Sequence, residues 1–193
     1  MSATNRGIKR NDSDFYITPD KTIKNFLNNY YELNFPLLDP CAGNGAFPKV
    51  IRESGYTNHT ITCVESRKEE YNNLLQYTDK NEIHIADFLT WNHSHAFQTI
   101  ISNPPFSLAE EFIKKCFEIS RDNTEIIMLL RLAFLESQKR YDFWQQYPVN
   151  ELYVLSDRPS FTGHGTDATA YGFFVWKKDF KLGERNRQLI KVI

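Results

Sequence analysis

Cysteine is scarce in this chain: three residues in 193, at Cys41, Cys63 and Cys116. An odd number at wide spacing builds neither a disulfide framework nor a zinc motif, and it fits a reducing, cytoplasmic setting. Long apolar runs are missing as well. None approaches the ~20 residues that span a bilayer, and Met1-Ser2-Ala3-Thr4-Asn5-Arg6 lacks the apolar core of a signal peptide, so no membrane association is expected. Net charge is nearly absent: 23 basic residues stand against 24 acidic ones, a formal −1, which is not the excess of a dedicated nucleic-acid binder. There is no internal repeat and no low-complexity tract.

Aromatic residues are abundant, at 15% within a hydrophobic content of 41%, and they place the chain among globular proteins with a proper core. Residues 1–14 are polar without hydrophobic period and read as a flexible N-terminal arm; residues 15–193 read as a single domain. Charge is distributed unevenly. From Lys177 onward six basic residues face two acidic ones, and the first 24 residues carry five basic against three acidic. Basic ends of this kind permit a phosphate-contacting patch.

The stretch Asn103-Pro104-Pro105-Phe106 organises the rest. It follows a run at 97–102 that reads as a buried strand and precedes an amphipathic helix over 108–120. Two consecutive prolines continue neither element, so the tetrapeptide is a stiff loop at a strand's carboxyl end, where open α/β sheets bind ligands. The Asn103 side-chain oxygen and the Pro104 carbonyl are acceptors beside the aromatic face of Phe106. Two acceptors next to a flat apolar wall suit a planar group bearing an NH₂, such as a nucleobase amine or a carboxamide. A merely rigid turn would use the same residues.

Further loops follow the same plan. Phe15-Tyr16-Ile17-Thr18-Pro19 leads into a helix with Thr18 as N-cap, Pro19 at the first helical position and Ile23, Phe26, Leu27 and Tyr30 on its buried face. After a strand at 35–38, Asp39-Pro40-Cys41-Ala42-Gly43-Asn44-Gly45-Ala46 forms a glycine turn into a helix over 47–54, without the third glycine of the dinucleotide fingerprint. A strand at 59–64 ends in Glu65, where this architecture holds ribose hydroxyls. After a helix over 68–77, a strand at 82–86 ends in Asp87-Phe88, a carboxylate and an aromatic suited to an adenine amine and ring, or to a capped turn. His93-Ser94-His95 has metal-ligand spacing without evident partners, and a solvated loop is expected there, with no metal site. A continuous apolar strand at 125–130 puts Arg131 at its carboxyl end, and a helix is expected over 136–147. Strands at 152–155 and 171–176 have no helix between them and form an antiparallel hairpin. The polar loop joining them holds Phe161 and His164.

This order of loops resembles the seven-stranded AdoMet-dependent methyltransferases over roughly residues 15–176. Within them it resembles the gamma-type enzymes that modify adenine N6 in DNA. The resemblance implies an α/β, Rossmann-like methyltransferase fold with a C-terminal antiparallel β-hairpin and S-adenosylmethionine as cofactor. It implies that Phe15, Tyr16, Thr18 and Pro19 contact the methionine part. Asp39, Pro40, Cys41, Ala42, Gly43 and Gly45 would form the loop under the cofactor's amino acid moiety, Glu65 would bind the ribose, and Asp87 and Phe88 the adenine ring. Asn103, Pro104, Pro105 and Phe106 match the catalytic motif, with Asn103 also bordering the cofactor. Phe106, Arg131, Phe161 and His164 are the implied substrate contacts.

On that reading Asn103 and the Pro104 carbonyl accept the two N–H bonds of a flipped adenine, which stacks on Phe106. Sequence-specific relatives carry a separate target-recognition domain, whereas 17 residues follow Trp176 here. Low or short sequence specificity is therefore expected, with loop 156–170, Arg131 and the basic tail left to touch DNA. Such compact forms resemble methyltransferases of phages and prophages. Adenine in RNA, a protein glutamine, and AdoMet binding without catalysis are the competing readings.

Overall fold

β5, the apolar run Glu125–Arg131, sits mid-sheet because its side chains are buried on both faces. The computed structural model describes residues 16–93, 96–161, 168–178 and 189–193. Its sheet holds β1 (Leu37–Asp39), β2 (Ile61–Glu65), β3 (Ile83–Ile85), β4 (Thr99–Ser102), β5, β6 (Glu151–Val154), β7 (Tyr171–Lys177) and β8 (Leu189–Val192). The order is β3-β2-β1-β4-β5-β7-β6-β8. Strands β1 to β5 are mutually parallel. β7 alone runs against its neighbours, inserted between β5 and β6, which is the expected hairpin.

Helices cover both faces. α1 (Asp20–Asn29), α2 (Ala46–Glu53) and α3 (Tyr71–Leu74) bury Ile23, Phe26, Phe47, Ile51 and Leu74 against Leu37, Ile127, Leu129 and Phe173. α4 (Ala109–Ile119) and α5 (Tyr141–Gln146) bury Phe112, Ile113, Cys116 and Phe143 against Ile126, Met128, Leu130 and Trp176. The alternation along β5 feeds both layers, so one continuous apolar run builds two half-cores.

Four local expectations change. α1 starts at Asp20 with Pro19 as its N-cap, so Thr18 does not cap it. The helices expected over 68–77 and 136–147 shrink to single turns of 3₁₀ helix followed by α3 and α5. In 68–77 the Asn72-Asn73 pair favours local side-chain bonding over helix continuation, and Asn73 bonds Glu70 at 2.7 Å. An eighth strand pairs parallel to β6, where the sequence reads as basic tail. Part of that tail is also spent elsewhere. Lys177 pairs with Glu125 at 3.5 Å, and Lys178 donates to the Phe117 and Ser120 carbonyls that end α4. Both lie at the end of the sheet opposite the Asn103 loop, because Lys177 faces Glu125 at the start of β5 while Tyr171 faces Arg131 at its end. Lys181, Arg185 and Arg187 lie outside the described residues.

Candidate functional site

The strand order reverses between β1 and β4, and the crevice beyond their carboxyl ends is where such sheets take ligands. A side-chain bond closes the crevice floor: Ser102, ending β4, donates its hydroxyl to Asp39 Oδ1, ending β1, at 2.7 Å. The same oxygen accepts the Cys41 N–H at 3.2 Å and so holds the first bend of the glycine turn. Asp39 is fully buried, and burial pushes its carboxyl up to about 7 against the opposing pull of the Ser102 and Cys41 hydrogen bonds. Its Oδ2 has no hydrogen-bond partner, in keeping with a carboxyl that is protonated easily.

The turn passes through Gly43 (φ 55°) and Gly45 (φ 86°), left-handed conformations that a Cβ would strain. Glu65 fixes it from the neighbouring strand. Its Oε2 accepts the Gly43 N–H at 2.7 Å, and its Oε1 accepts from the Arg67 backbone N–H and Nε at 2.9 and 3.0 Å. The ribose candidate is thus also the brace of the glycine loop, and a carboxylate's lone pairs leave room for additional hydroxyl donors.

Across the crevice, Asn103 is anchored by its amide nitrogen. Nδ2 donates to Thr18 Oγ1 at 3.0 Å and lies 3.5 Å from the Tyr16 carbonyl. This is where the Thr18 hydroxyl goes instead of capping α1. With the amide held this way, Asn103 Oδ1 is buried and has no hydrogen-bond partner. Pro104 is buried, Pro105 reaches the cleft, and the half-buried Phe106 ring lies in an aromatic group. Tyr16 stacks at 6.1 Å, Tyr171 lies at 5.6 Å and Phe161 packs edge-on at 6.3 Å. The Arg131 guanidinium lies over Phe106, 4.6 Å from its centroid, and its Nε donates to the Tyr171 hydroxyl at 3.3 Å.

One cleft joins the two halves. It encloses about 630 Å³, mouth included, with Gly43, Glu65, Arg67, Thr18, Asn103 and Pro105 on its walls. Tyr16, Cys41 and Ala42 line it too; Asp39 and Pro40 lie buried behind it, and Gly45 starts α2 beyond. Asp87 is exposed and its carboxylate accepts the Leu89 N–H at 3.0 Å, forming a turn. Phe88 is buried against Phe112 at 5.2 Å, placed in the core beneath α4 and not on the cleft wall. Phe15 and His164 lie outside the described residues, as does His95. His93 departs from the solvated loop expected for it: half-buried, it stacks on Trp91 at 4.7 Å, 5.5 Å from His84. Among the described residues no three His, Cys, Asp or Glu side chains gather as a metal site, and no helix is long and apolar enough to cross a membrane.

Three contributors escape a reading of the sequence. Arg67 sits two residues past Glu65, a spacing that the strand-end turn makes useful. Ser102 looks like the last residue of a buried strand. Tyr171 reads as one aromatic among many, and only its register opposite Arg131 brings it to Phe106.

A structure described as a class I S-adenosylmethionine-dependent methyltransferase from Listeria monocytogenes superimposes with a TM-score of 0.70, covering 92% of this chain and 65% of that one at 14% identity. The fold is that of the class I AdoMet-dependent methyltransferases. By sequence, the chain is a distant homologue of type II methyltransferases. It is 30% identical to M.CvrRI of Paramecium bursaria Chlorella virus XZ-6E over 157 aligned positions, 67% of this chain. It is 29% identical to M.TthHB8I of Thermus thermophilus over 86 positions, 45% of this chain. The chain spans 39% and 19% of the lengths of these two relatives. No family model matches it. The methyltransferase fold implies an AdoMet cofactor, and the chemistry of the braced glycine loop and Glu65 is compatible with a nucleoside. Two left-handed glycines leave the loop free of side chains at its bends, and a buried carboxylate stands beside it.

Proposed function

We propose that this protein transfers a methyl group from AdoMet to the N6 amine of adenine in DNA. The observation that carries the reading is Asn103 Oδ1, a buried acceptor without a partner on a side chain whose nitrogen is already tied to Thr18. A buried acceptor left unpaired costs about 1–3 kcal/mol, which an entering N–H donor would recover. An amine on a flat ring supplies that donor and a face to lay along Phe106.

When bound, AdoMet supplies an electrophilic methyl group on a sulfonium centre. The chain's own residues do the rest. The glycine loop and Glu65 would hold the cofactor's polar ends, Glu65 through hydroxyl hydrogen bonds added to those it already accepts. Asn103 Oδ1 and the Pro104 carbonyl take the two amine hydrogens, which turns the nitrogen lone pair out of conjugation and toward the methyl donor. An amide oxygen is a poor base, so Asn103 orients the amine. As the N–C bond forms, the methyl leaves a neutral thioether behind, and the proton that the cationic methylated nitrogen must shed passes to water. Alignment of this kind supplies a large part of the rate. Phe106, with Phe161 beside it, offers the base a surface that offsets part of the few kcal/mol spent on unstacking it. DNA is favoured as the polymer because the sequence relatives are type II methyltransferases, a class that modifies DNA.

The test is transfer from isotopically labelled AdoMet to unmethylated duplex DNA, single-stranded DNA and total RNA in parallel, followed by nucleoside mass spectrometry. Labelled N6-methyldeoxyadenosine is expected. Label confined to RNA would move the same chemistry to RNA adenine, and no label in any nucleic acid would overturn the reading.

A further inference from the structure

The Asn103 amide is fixed from a part of the chain far from its own loop. Thr18 Oγ1, 85 positions earlier, accepts the Nδ2 hydrogen bond at 3.0 Å, and the Tyr16 carbonyl lies 3.5 Å from the same nitrogen. The two contacts divide the work. A carbonyl only accepts, so the amide atom facing Tyr16 is the nitrogen, and Oδ1 is left at the other end. The hydroxyl supplies the close bond that stops the amide from swinging. Thr18 is built for such a task. It is 3% exposed, and Pro19 after it confines its backbone to extended conformations. Its β-branch restricts χ1, so the hydroxyl has few directions to take. Behind it the Pro19 carbonyl accepts the Thr22 N–H at 2.9 Å, and Ile23 and Phe26 of α1 are fully buried. The hydroxyl thus carries the rigidity of the core to a side chain on the cleft wall. The methyltransferase resemblance implies a cofactor contact for Thr18, which does border the cleft. Its bond to Asn103 implies a different task.

We infer that Thr18 is a positioning residue for methyl transfer, its hydroxyl holding the Asn103 amide so that Oδ1 meets the substrate amine in the aligned geometry. The inference rests on the adenine reading above and deepens it. The two acceptors assigned to the amine differ in stiffness. The Pro104 carbonyl belongs to a proline backbone and needs no outside help. Oδ1 ends a side chain whose last torsion is broad, without sharp minima. Untied, that amide rocks, and its oxygen meets the amine hydrogen at varying distance and angle. The bond from Nδ2 to Thr18 removes this freedom before the substrate arrives, so the cost of ordering is not charged to the transfer step. In this role Thr18 touches neither the amine nor the methyl group. It acts through Asn103 alone.

The test uses the full chain and labelled AdoMet. Thr18→Val keeps the shape, the β-branch and the residue's place before proline, and removes only the hydroxyl; Thr18→Ser keeps the hydroxyl. Circular dichroism confirms folding, calorimetry gives AdoMet affinity, and rates are taken at saturating AdoMet on whichever of DNA and RNA accepts the label. Thr18→Val should lower kcat about 10- to 100-fold, the range of a misplacement of about 1 Å, while AdoMet affinity stays within about threefold. Thr18→Ser should recover to within about threefold of the wild type, the lost β-branch loosening it slightly. In an Asn103→Ala background Thr18→Val should cost nothing further, because its route to the reaction is gone. AdoMet affinity that falls in step with the rate would overturn the proposal and return Thr18 to the cofactor. Losses that multiply in the double variant would overturn it too, as would a serine variant no better than valine. The adenine reading is judged by where the label goes. Label in RNA with this pattern sinks the DNA reading alone, label on DNA adenine without the pattern sinks the inference alone, and no label on any nucleic acid sinks both.

Discussion

The two walls of the cleft are built on opposite principles. On the cofactor wall the polar groups are largely tied to each other: Asp39 to Cys41 and Ser102, Glu65 to Gly43 and Arg67. On the wall proposed for the substrate, the anchored atom and the unmet acceptor are separate. Asn103 is held by its nitrogen, its oxygen has no partner, and Phe106 lies beneath the Arg131 guanidinium. A cofactor of fixed shape is served by a loop organised before it arrives, which lowers the ordering cost of binding. The base proposed as substrate would be served by an unmet acceptor beside a ring, a site whose hydrogen bonding would be completed by its arrival. The comparison makes the two walls separable by mutation.

The largest expected effect is in stability and bears on the cofactor wall. Asp39 has a carboxyl pushed up to about 7 from an ordinary 3.8 by burial. Its folded pKa lies above its unfolded one, so its contribution to stability is full below about pH 4 and is lost as the pH rises toward 7. The whole window is worth up to about 4 kcal/mol at 1.36 kcal/mol per unit. Asp39→Asn removes the titration. The stability of the wild type relative to the variant should decline steadily from pH 5 to pH 7 in urea titrations and then level off. A gap that stays flat over that range would show that Asp39 is not the protonated brace inferred here.

Next in size is Asn103→Ala, which removes the open acceptor and leaves the cofactor wall intact. Transfer should fall by about 10²–10³-fold, the usual loss for one oriented polar contact to the reacting group, while AdoMet affinity by calorimetry stays within about threefold. Loss of AdoMet binding with turnover preserved would reverse the assignment of the walls. Glu65→Gln should show the opposite pattern. AdoMet binding should weaken by about 10–100-fold, as expected when a charge-assisted hydrogen bond is lost, with the rate at saturating AdoMet nearly unchanged. An equal fall in rate and affinity would mean that the two walls are coupled.

Much of the fold is legible in the sequence because parallel strands covered on both faces write themselves as apolar runs, as 125–130 does. Asn103, Gly43 and Glu65 are legible because each ends or follows such a run. What is hidden depends on pairing between distant segments. β8 is short and exposed, and its place beside β6 leaves no apolar signature. Phe88 reads as a ring for adenine until α4 is packed over it, since one aromatic after a strand carries no record of which way it turns. Thr18 reads as a helix cap because threonine serves both as cap and as partner for an amide, and only the approach of Asn103 decides between them.

The smallest effect is the sharpest test of preorganisation, because two glycines share one strain and differ in place. Gly45 enters α2 at φ 86°, and a Cβ there would come within 3.3 Å of the Tyr77 ring and 3.4 Å of Leu74. Gly55 follows α2 at φ 102° with nothing within 4 Å of a Cβ. Alanine at either site should cost about 1–2 kcal/mol for its left-handed backbone, measured by urea unfolding. The contacts at Gly45 are with a Tyr77 ring carbon and a Leu74 methyl, which must shift by a few tenths of an ångström to admit the Cβ. Their effects on binding should diverge. Gly45→Ala relieves its strain by shifting the turn that Glu65 braces, so AdoMet affinity should fall severalfold beyond anything seen in Gly55→Ala. If the two variants lose equal stability and both keep full affinity, the loop's conformation is not what binds the cofactor, and the cofactor wall is less preorganised than its hydrogen bonds imply.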